Sequence, residues 1–309
     1  MFESIPQRLV DGSLQDFMNE LPGLREGDER SIHQSRVAIR RLHESLVLVR
    51  PECDEDEIDS IARRLTQIFK ALGRARDADT AQRLVQQVEE RFPQAAATLG
   101  QLRVSFSRGQ LLARRRVIKT MESADVDALP TQLGRARRPQ RRVLRSDPWR
   151  QRFRLHLQNR AGELLDAMDR AGGVYFRRRS HDARVALKEF RYALELAERI
   201  GILRVGDVGR VLRKAQDALG EAHDREVVIK RLRKLAAGGA PVNQAEATAV
   251  EQFLDGEIGA LHQKYVATRA QLRVICAERT KVRRALPLRA SAMAVAAIAI
   301  PAALVRRKA

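Results

Sequence analysis

Two segments carry the residue types best suited to holding negative charge. HQSRVAIRRLHESL begins at His33 and HDARVALKEFRYAL at His181; they align without gaps and share five identical positions. In a helix each residue advances about 100°. His33, Arg36, Arg40 and His43 therefore fall within one quadrant, and so do His181, Arg184, Lys188 and Arg191. At about 1.5 Å per residue such a stripe runs about 15 Å, much longer than one phosphate group needs. Guanidinium groups meet phosphate oxygens with a planar fork and ammonium groups act as point charges. The pattern suits an extended, phosphate-like polyanion.

These cations need an element to hold them. Ile39, Leu42, Leu46 and Val49, matched by Leu187, Phe190, Leu194 and Ala197, form an apolar arc about a third of a turn away, so each helix buries one face and offers its cations beside it. A basic flank on one amphipathic helix is ordinarily just a solvated face. Here a second motif follows each stripe at nearly the same interval: LGRARD from Leu72 and LGEAHD from Leu219. Two motifs in the same order at similar spacing point to an internal duplication. Gly73 and Gly220 lie inside helical pattern, where glycine costs about 1 kcal/mol relative to alanine, so a close backbone approach or a kink is expected there. Asp77 and Asp224 are placed to orient cations such as Arg76 and His223. Arg63, Lys70, Arg74, Arg76, Arg210, Lys214 and His223 are candidates to form a secondary basic surface.

The rest of the chain reads as helix. Glycine and proline are sparse within long runs of Leu, Ala, Arg, Glu and Gln, and no stretch sustains the alternation of a strand. Helices are expected near 5–20, 31–49, 55–91, 95–121, 148–171, 181–200, 207–236 and 244–284, with Ser31, Ser180 and Asp147 as N-caps. The expected organisation is a first helical half over 1–121, an Arg-rich linker over 122–147, a second half over 148–285 and an Ala-rich tail over 286–309. His33 and His181 would then sit in the first turn of their helices, where unpaired backbone N–H groups favour an anion. An anion there should raise the protonation of both imidazoles.

Composition narrows the partner. With 58 Lys and Arg against 39 Asp and Glu, the formal net charge is +19. That excess predicts nucleic acid, an acidic surface or a polymeric phosphate. Aromatic residues make up only 4% and do not interleave with the cations, which argues against base stacking on single strands but leaves duplex backbone binding open. Cys53 and Cys276 are the two cysteines, so a disulfide framework is not expected and a reduced, cytoplasmic setting is. The apolar run before Val305 is short for a bilayer crossing and is broken by Pro301, so membrane contact is not expected. Enzymatic motifs are missing: no phosphate-binding Gly-Lys loop, no nucleophile elbow, no H-E-x-x-H. His33 and His43 are about 15 Å apart along one helix and cannot share a metal. No catalytic residue, cofactor or metal is expected.

Both H-x-x-R-V-A-x-(Arg or Lys) helices and both L-G-x-x-x-D segments resemble the CHAD domain, the conserved histidine α-helical domain, over roughly residues 5–285. The resemblance implies an all-α fold of two four-helix bundles related by pseudo-twofold symmetry. It also implies a basic central groove that binds inorganic polyphosphate, and recruitment to polyphosphate granules. By position the contacts would be His33, Arg36, Arg40, His181, Arg184, Lys188 and Arg191. His43 departs from the usual Arg, and Glu189 stands where the first stripe has Arg41. Some members carry a catalytic tunnel domain marked by E-x-E-x-K, which this sequence lacks.

Overall fold

The computed structural model describes residues 4–137, 148–238 and 242–280. The first half contains α1 (Ile5–Asn19), α2 (Leu21–Glu26), α3 (Glu29–Val49), α4 (Glu55–Arg91), α5 (Ala96–Ser123) and α6 (Leu129–Ala136). The second contains α7 (Pro148–Ala171), α8 (Arg177–Arg199), α9 (Gly206–Ala237) and α10 (Gln244–Thr280). The fold is all-α: among the described residues the only β-type pairing is an isolated bridge between Cys53 and Arg137.

Side-chain caps set several of the boundaries. Ser4 and Gln7 form a reciprocal capping box at α1, and Asp54 accepts from the Glu57 N–H at 3.2 Å at α4. Asp28, not Ser31, caps α3, accepting from the Ser31 N–H at 2.7 Å. Phe176 precedes α8 without a side-chain cap, and Ser180 lies inside that helix. Asp147 lies outside the described residues. Both stripe helices thus start about one turn earlier than their sequence suggested. His33 and His181 are each the fifth helical residue, beyond the free N–H groups of the first turn. The helix-start contribution expected for these imidazoles is therefore absent.

The Arg-rich linker also begins later than expected. Val126 and, on α6, Leu129, Leu133 and Ala136 are buried in the first core, because their apolar spacing lets this short helix pack on α4. Residues 138–147 and 281–309, which include the rest of that linker and the apolar tail, lie outside the described residues.

Three apolar clusters hold the chain. The first draws on α1 to α6, with Phe17, Ile39, Leu65 and Ile68 fully buried. The second packs α7, α8 and the facing ends of α9 and α10 around Phe153, Phe190 and Tyr265, and takes in Leu48 from α3. The third joins the halves: Val85 and Val88 of α4, Leu99 and Leu102 of α5, Val228 and Leu232 of α9, and Val250 and Leu254 of α10. Its existence follows from length. At 37, 28, 32 and 37 residues, α4, α5, α9 and α10 outrun α3 and α8, and their far ends bury their apolar faces on one another.

A polar network also fastens the halves. Glu44 on α3 is nearly fully buried; its carboxylate meets His156 Nε2 at 2.5 Å and the Arg160 guanidinium at 3.4 Å, both on α7. Arg160 also donates to Glu189 on α8 at 3.0 Å, and Arg152 of α7 donates to the Leu48 carbonyl at 3.1 Å. Burial alone would raise the Glu44 pKa, but the His156 hydrogen bond and the Arg160 charge overcome it and hold it below the ordinary value. A depressed folded-state pKa contributes stability above the unfolded value, and that stability is lost as pH falls through the folded value. Glu44→Gln should destabilise the protein by about 3 kcal/mol in urea unfolding at neutral pH, as expected for breaking a buried ion pair. The gap to wild type should close as pH drops below the ordinary glutamate value of 4.5. A gap undiminished at about pH 3 would assign Glu44 a packing role instead.

Candidate polyanion-binding site

The stripes of α3 and α8 meet where the halves face each other, flanked by α4 and α9. Lys188 is the centre of the arrangement: its charged neighbours are Arg184 on its own helix and Arg40, Arg36 and Arg76 from the first half. Burial and these four guanidinium groups push its amine down to about 6. Among the described residues, Arg36, Arg40, Arg76, Arg184 and Lys188 form no ion pair within 4.0 Å. Asp77 and Asp224 act on Arg184 from further away. Asp77 also acts on Arg36, and Asp224 on Arg76, so the two motif aspartates serve cations of both halves.

Aromatic and backbone groups position these cations. Arg36 donates to the Phe69 carbonyl of α4 at 3.2 Å, and its guanidinium carbon lies 4.5 Å from the Phe69 ring centroid. Arg40 sits between two rings, 4.9 Å from Phe69 and 5.1 Å from Tyr192 of α8. Such cation–π contacts order a guanidinium without neutralising it. Burial lowers the pKa of Arg36 to about 10, and that of Arg40 also falls. Phe69 stands three residues before Leu72, whereas Gln216 holds the matching place before Leu219.

Each histidine lies beside the arginine of its own stripe. The charged neighbours of His33 are Arg76, Arg36 and Glu29; those of His181 are Arg184, His223, Asp182 and Glu226. Burial, then the adjacent cations, lowers both imidazole pKa values. The His223 ring centroid lies 5.5 Å from that of His181, the rings tilted by 46°, and its Nδ1 is 3.4 Å from the buried Glu226. This is a convergent set of cations with no metal cluster among the described residues.

A family model, the CHAD domain, matches residues 8–233. The chain belongs to the CHAD-domain family. Two solved structures share the fold. PptA from Streptomyces chartreusis is 15% identical, with a TM-score of 0.63, covering 85% of this chain and 96% of that one. The CHAD domain from the plant Ricinus communis is 23% identical, with a TM-score of 0.57, covering 91% of each chain. No curated protein matches this sequence.

Within this CHAD domain the expected residues fare differently. Arg36, Arg40, Arg184 and Lys188 converge. His43 does not join them: its Nε2 approaches the Ala62 carbonyl of α4 at 3.5 Å, and burial, chiefly, lowers its pKa. Arg191 is already paired with Glu195 at 2.7 Å and stacks on Tyr192. Arg63, Lys70, Arg74, Arg210 and Lys214 are exposed and none is a charged neighbour of Lys188; Arg210 pairs with Asp207 at 2.6 Å. Arg76, expected only on the secondary surface, is central. Its signal was present, since it lies three residues after Gly73 on the same face of α4. Phe69, one turn before Gly73, could have been found in the same way. Tyr192 carried no such mark.

The two motif glycines also part company. A Cβ on Gly73 would stand 2.8 Å from Arg36 Nη1, so glycine leaves room for that guanidinium, whereas a Cβ on Gly220 would meet open space. Gly220→Ala should raise stability by up to about 1 kcal/mol through helix propensity. Gly73→Ala should displace Arg36 and fail to gain that stability, read by urea unfolding of the two variants. Equal behaviour of the two variants would refute this assignment.

Proposed function

We propose that this protein is a non-enzymatic binder of inorganic polyphosphate that holds a segment of the polymer between α3 and α8 and thereby associates with polyphosphate granules. The observation that carries this reading is the convergence of Arg36, Arg40, Arg76, Arg184 and Lys188 from both halves, with Asp77 and Asp224 acting on them but no ion pair within 4.0 Å among the described residues. Cations held together against their mutual repulsion are preorganised for a ligand of high negative charge density. A linear phosphate polymer neutralises several at once and releases its counterions, so affinity should fall steeply with salt. The link of the CHAD family to polyphosphate supports the same choice of ligand.

A nucleic-acid backbone is the second reading, favoured by the net charge of +19. Against it, the two rings nearest the cations are occupied: Phe69 and Tyr192 stack on guanidinium groups instead of offering free faces to bases. Catalysis of phosphoryl transfer is the weaker reading, because it would call for a positioned metal and none of the five converging side chains is a carboxylate that could hold one.

Competition at one fixed salt concentration among long-chain polyphosphate, RNA, duplex DNA and tripolyphosphate tests the proposal. Polyphosphate should win clearly, and Arg36→Gln/Arg184→Gln should lose about 100-fold or more, since each charged hydrogen bond contributes roughly 1.5–3 kcal/mol. Thermal melts of the variant confirm that it folds. Equal affinity for polyphosphate and RNA sinks the specific claim.

Binding should also take up protons. The pKa values of Lys188, His33 and His181 are depressed in the free protein, and a polyanion beside them raises all three. Affinity is therefore expected to rise as pH falls from about 8 to about 6, with upward shifts of both imidazoles in NMR titrations. Unchanged imidazole titration on saturation would contradict the placement of the polymer.

A further inference from the structure

The outer face of α5 combines bare apolar side chains with free cations. The helix packs along α4 and meets α2 and α9, burying Leu99, Leu102, Phe106, Val117 and Met121 on that side. On the opposite side stand Val104, Leu111 and Leu112, which are 47%, 60% and 65% exposed. Single apolar residues are ordinary on a protein surface, but two adjacent leucines this open mark a contact surface when they belong to a patch.

Cations complete the patch. Between Ala96 and Met121 the helix holds six Lys and Arg and no Asp or Glu. Arg103 and Arg114 are taken up by Glu89 at 3.2 Å and Asp79 at 3.4 Å. The exposed Arg108, Arg115, Arg116 and Lys119 form no ion pair among the described residues. At about 100° per residue, these four and the three apolar residues fall within an arc of about 140°, roughly opposite the buried side. From Val104 to Lys119 the patch runs about 22 Å.

Charge separates the occupants open to such a face. In a twofold dimer like surfaces meet, so a second copy would set these cations against themselves. The chain beyond Thr280 carries seven Lys and Arg and no Asp or Glu, and it too would bring cation to cation. A phosphate polymer or a nucleic acid would satisfy the cations and leave Leu111 and Leu112 in water. An anionic lipid surface satisfies both sets, because headgroups take the cations while the leucines enter the acyl boundary.

We propose that α5 is a membrane-docking helix: it lays Val104, Leu111 and Leu112 into the surface of an anionic bilayer, and Arg108, Arg115, Arg116 and Lys119 hold the headgroups. No helix among the described residues is long and apolar enough to cross a membrane, so the contact is peripheral. The charged neighbours of Lys188 include none from α5, and the docking face is therefore independent of the polyanion groove.

Co-sedimentation of the full chain with vesicles tests this. Phosphatidylcholine vesicles containing about a third phosphatidylglycerol should bind the protein, and vesicles of phosphatidylcholine alone should bind at least about tenfold more weakly. Leu111→Ser/Leu112→Ser, which keeps every charge, should weaken binding to the anionic vesicles by about tenfold or more. Arg115→Gln/Arg116→Gln should cost a similar factor. Arg213→Gln/Lys214→Gln removes as much charge from α9, about 25 Å along that helix from Arg231, which lies over Phe106 of α5, and should bind like wild type. Leu111→Trp supplies a second readout: its emission should shift to the blue on anionic vesicles, against a buried Trp149. Equal binding to both lipids, full binding by the leucine variant, a loss matched by the α9 variant, or an unshifted Leu111→Trp emission overturns the proposal. So does the absence of vesicle binding, which would leave the face to an acidic protein partner. Self-association without lipid that Leu111→Ser/Leu112→Ser abolishes, read by sedimentation velocity, would assign the face to a second copy instead.

Discussion

Like charges crowd together at the centre of this molecule, and the rest of the architecture answers to that constraint. Two unit charges 4 Å apart repel by about 4 kcal/mol at the effective dielectric of a protein surface. A cluster of Arg36, Arg40, Arg76, Arg184 and Lys188, which forms no ion pair among the described residues, therefore persists only on a scaffold that prevents its helices from separating. The apolar arcs of α3 and α8 supply part of that restraint. The remainder comes from contacts across the halves, since each half by itself would relax away from the other.

Two such contacts are prominent and different in kind. The third apolar cluster clamps the far ends of α4, α5, α9 and α10, beyond the reach of the stripe helices. The Glu44, His156, Arg160 and Glu189 network ties α3, α7 and α8 near the opposite end of the stripes. This network is also where the two stripes diverge in sequence. Glu44 stands where the second stripe has Tyr192, and Arg41 where it has Glu189. The positions that break the likeness between the halves are thus used to join them.

Much of the fold was legible because helix propensity, glycine placement and apolar periodicity agree along the chain. The helices over 55–91 and 148–171 fall where the sequence suggested. The starts of α3 and α8 were missed because Ser31 and Ser180 look like caps, whereas Asp28 does the capping of α3 and α8 begins without a side-chain cap. The short helix α6 was hidden by the surrounding Arg and Pro residues, although Leu129 and Leu133 already had helical spacing. At the site, residue type and offset found Arg36, Arg40, Arg184 and Lys188. The same rule could not separate them from His43 and Arg191, whose fates depend on Ala62 and Glu195 rather than on their own helical angle. Contacts between the halves, such as Arg40 against Tyr192, have no one-dimensional signature.

One consequence of the crowding concerns protons. Burial and four guanidinium groups hold the Lys188 amine down to about 6, so the empty groove carries less charge than its residue types suggest. A polyanion set among those guanidinium groups would offset their repulsion and return the proton. Occupancy of the groove would then be written into the protonation state of one side chain.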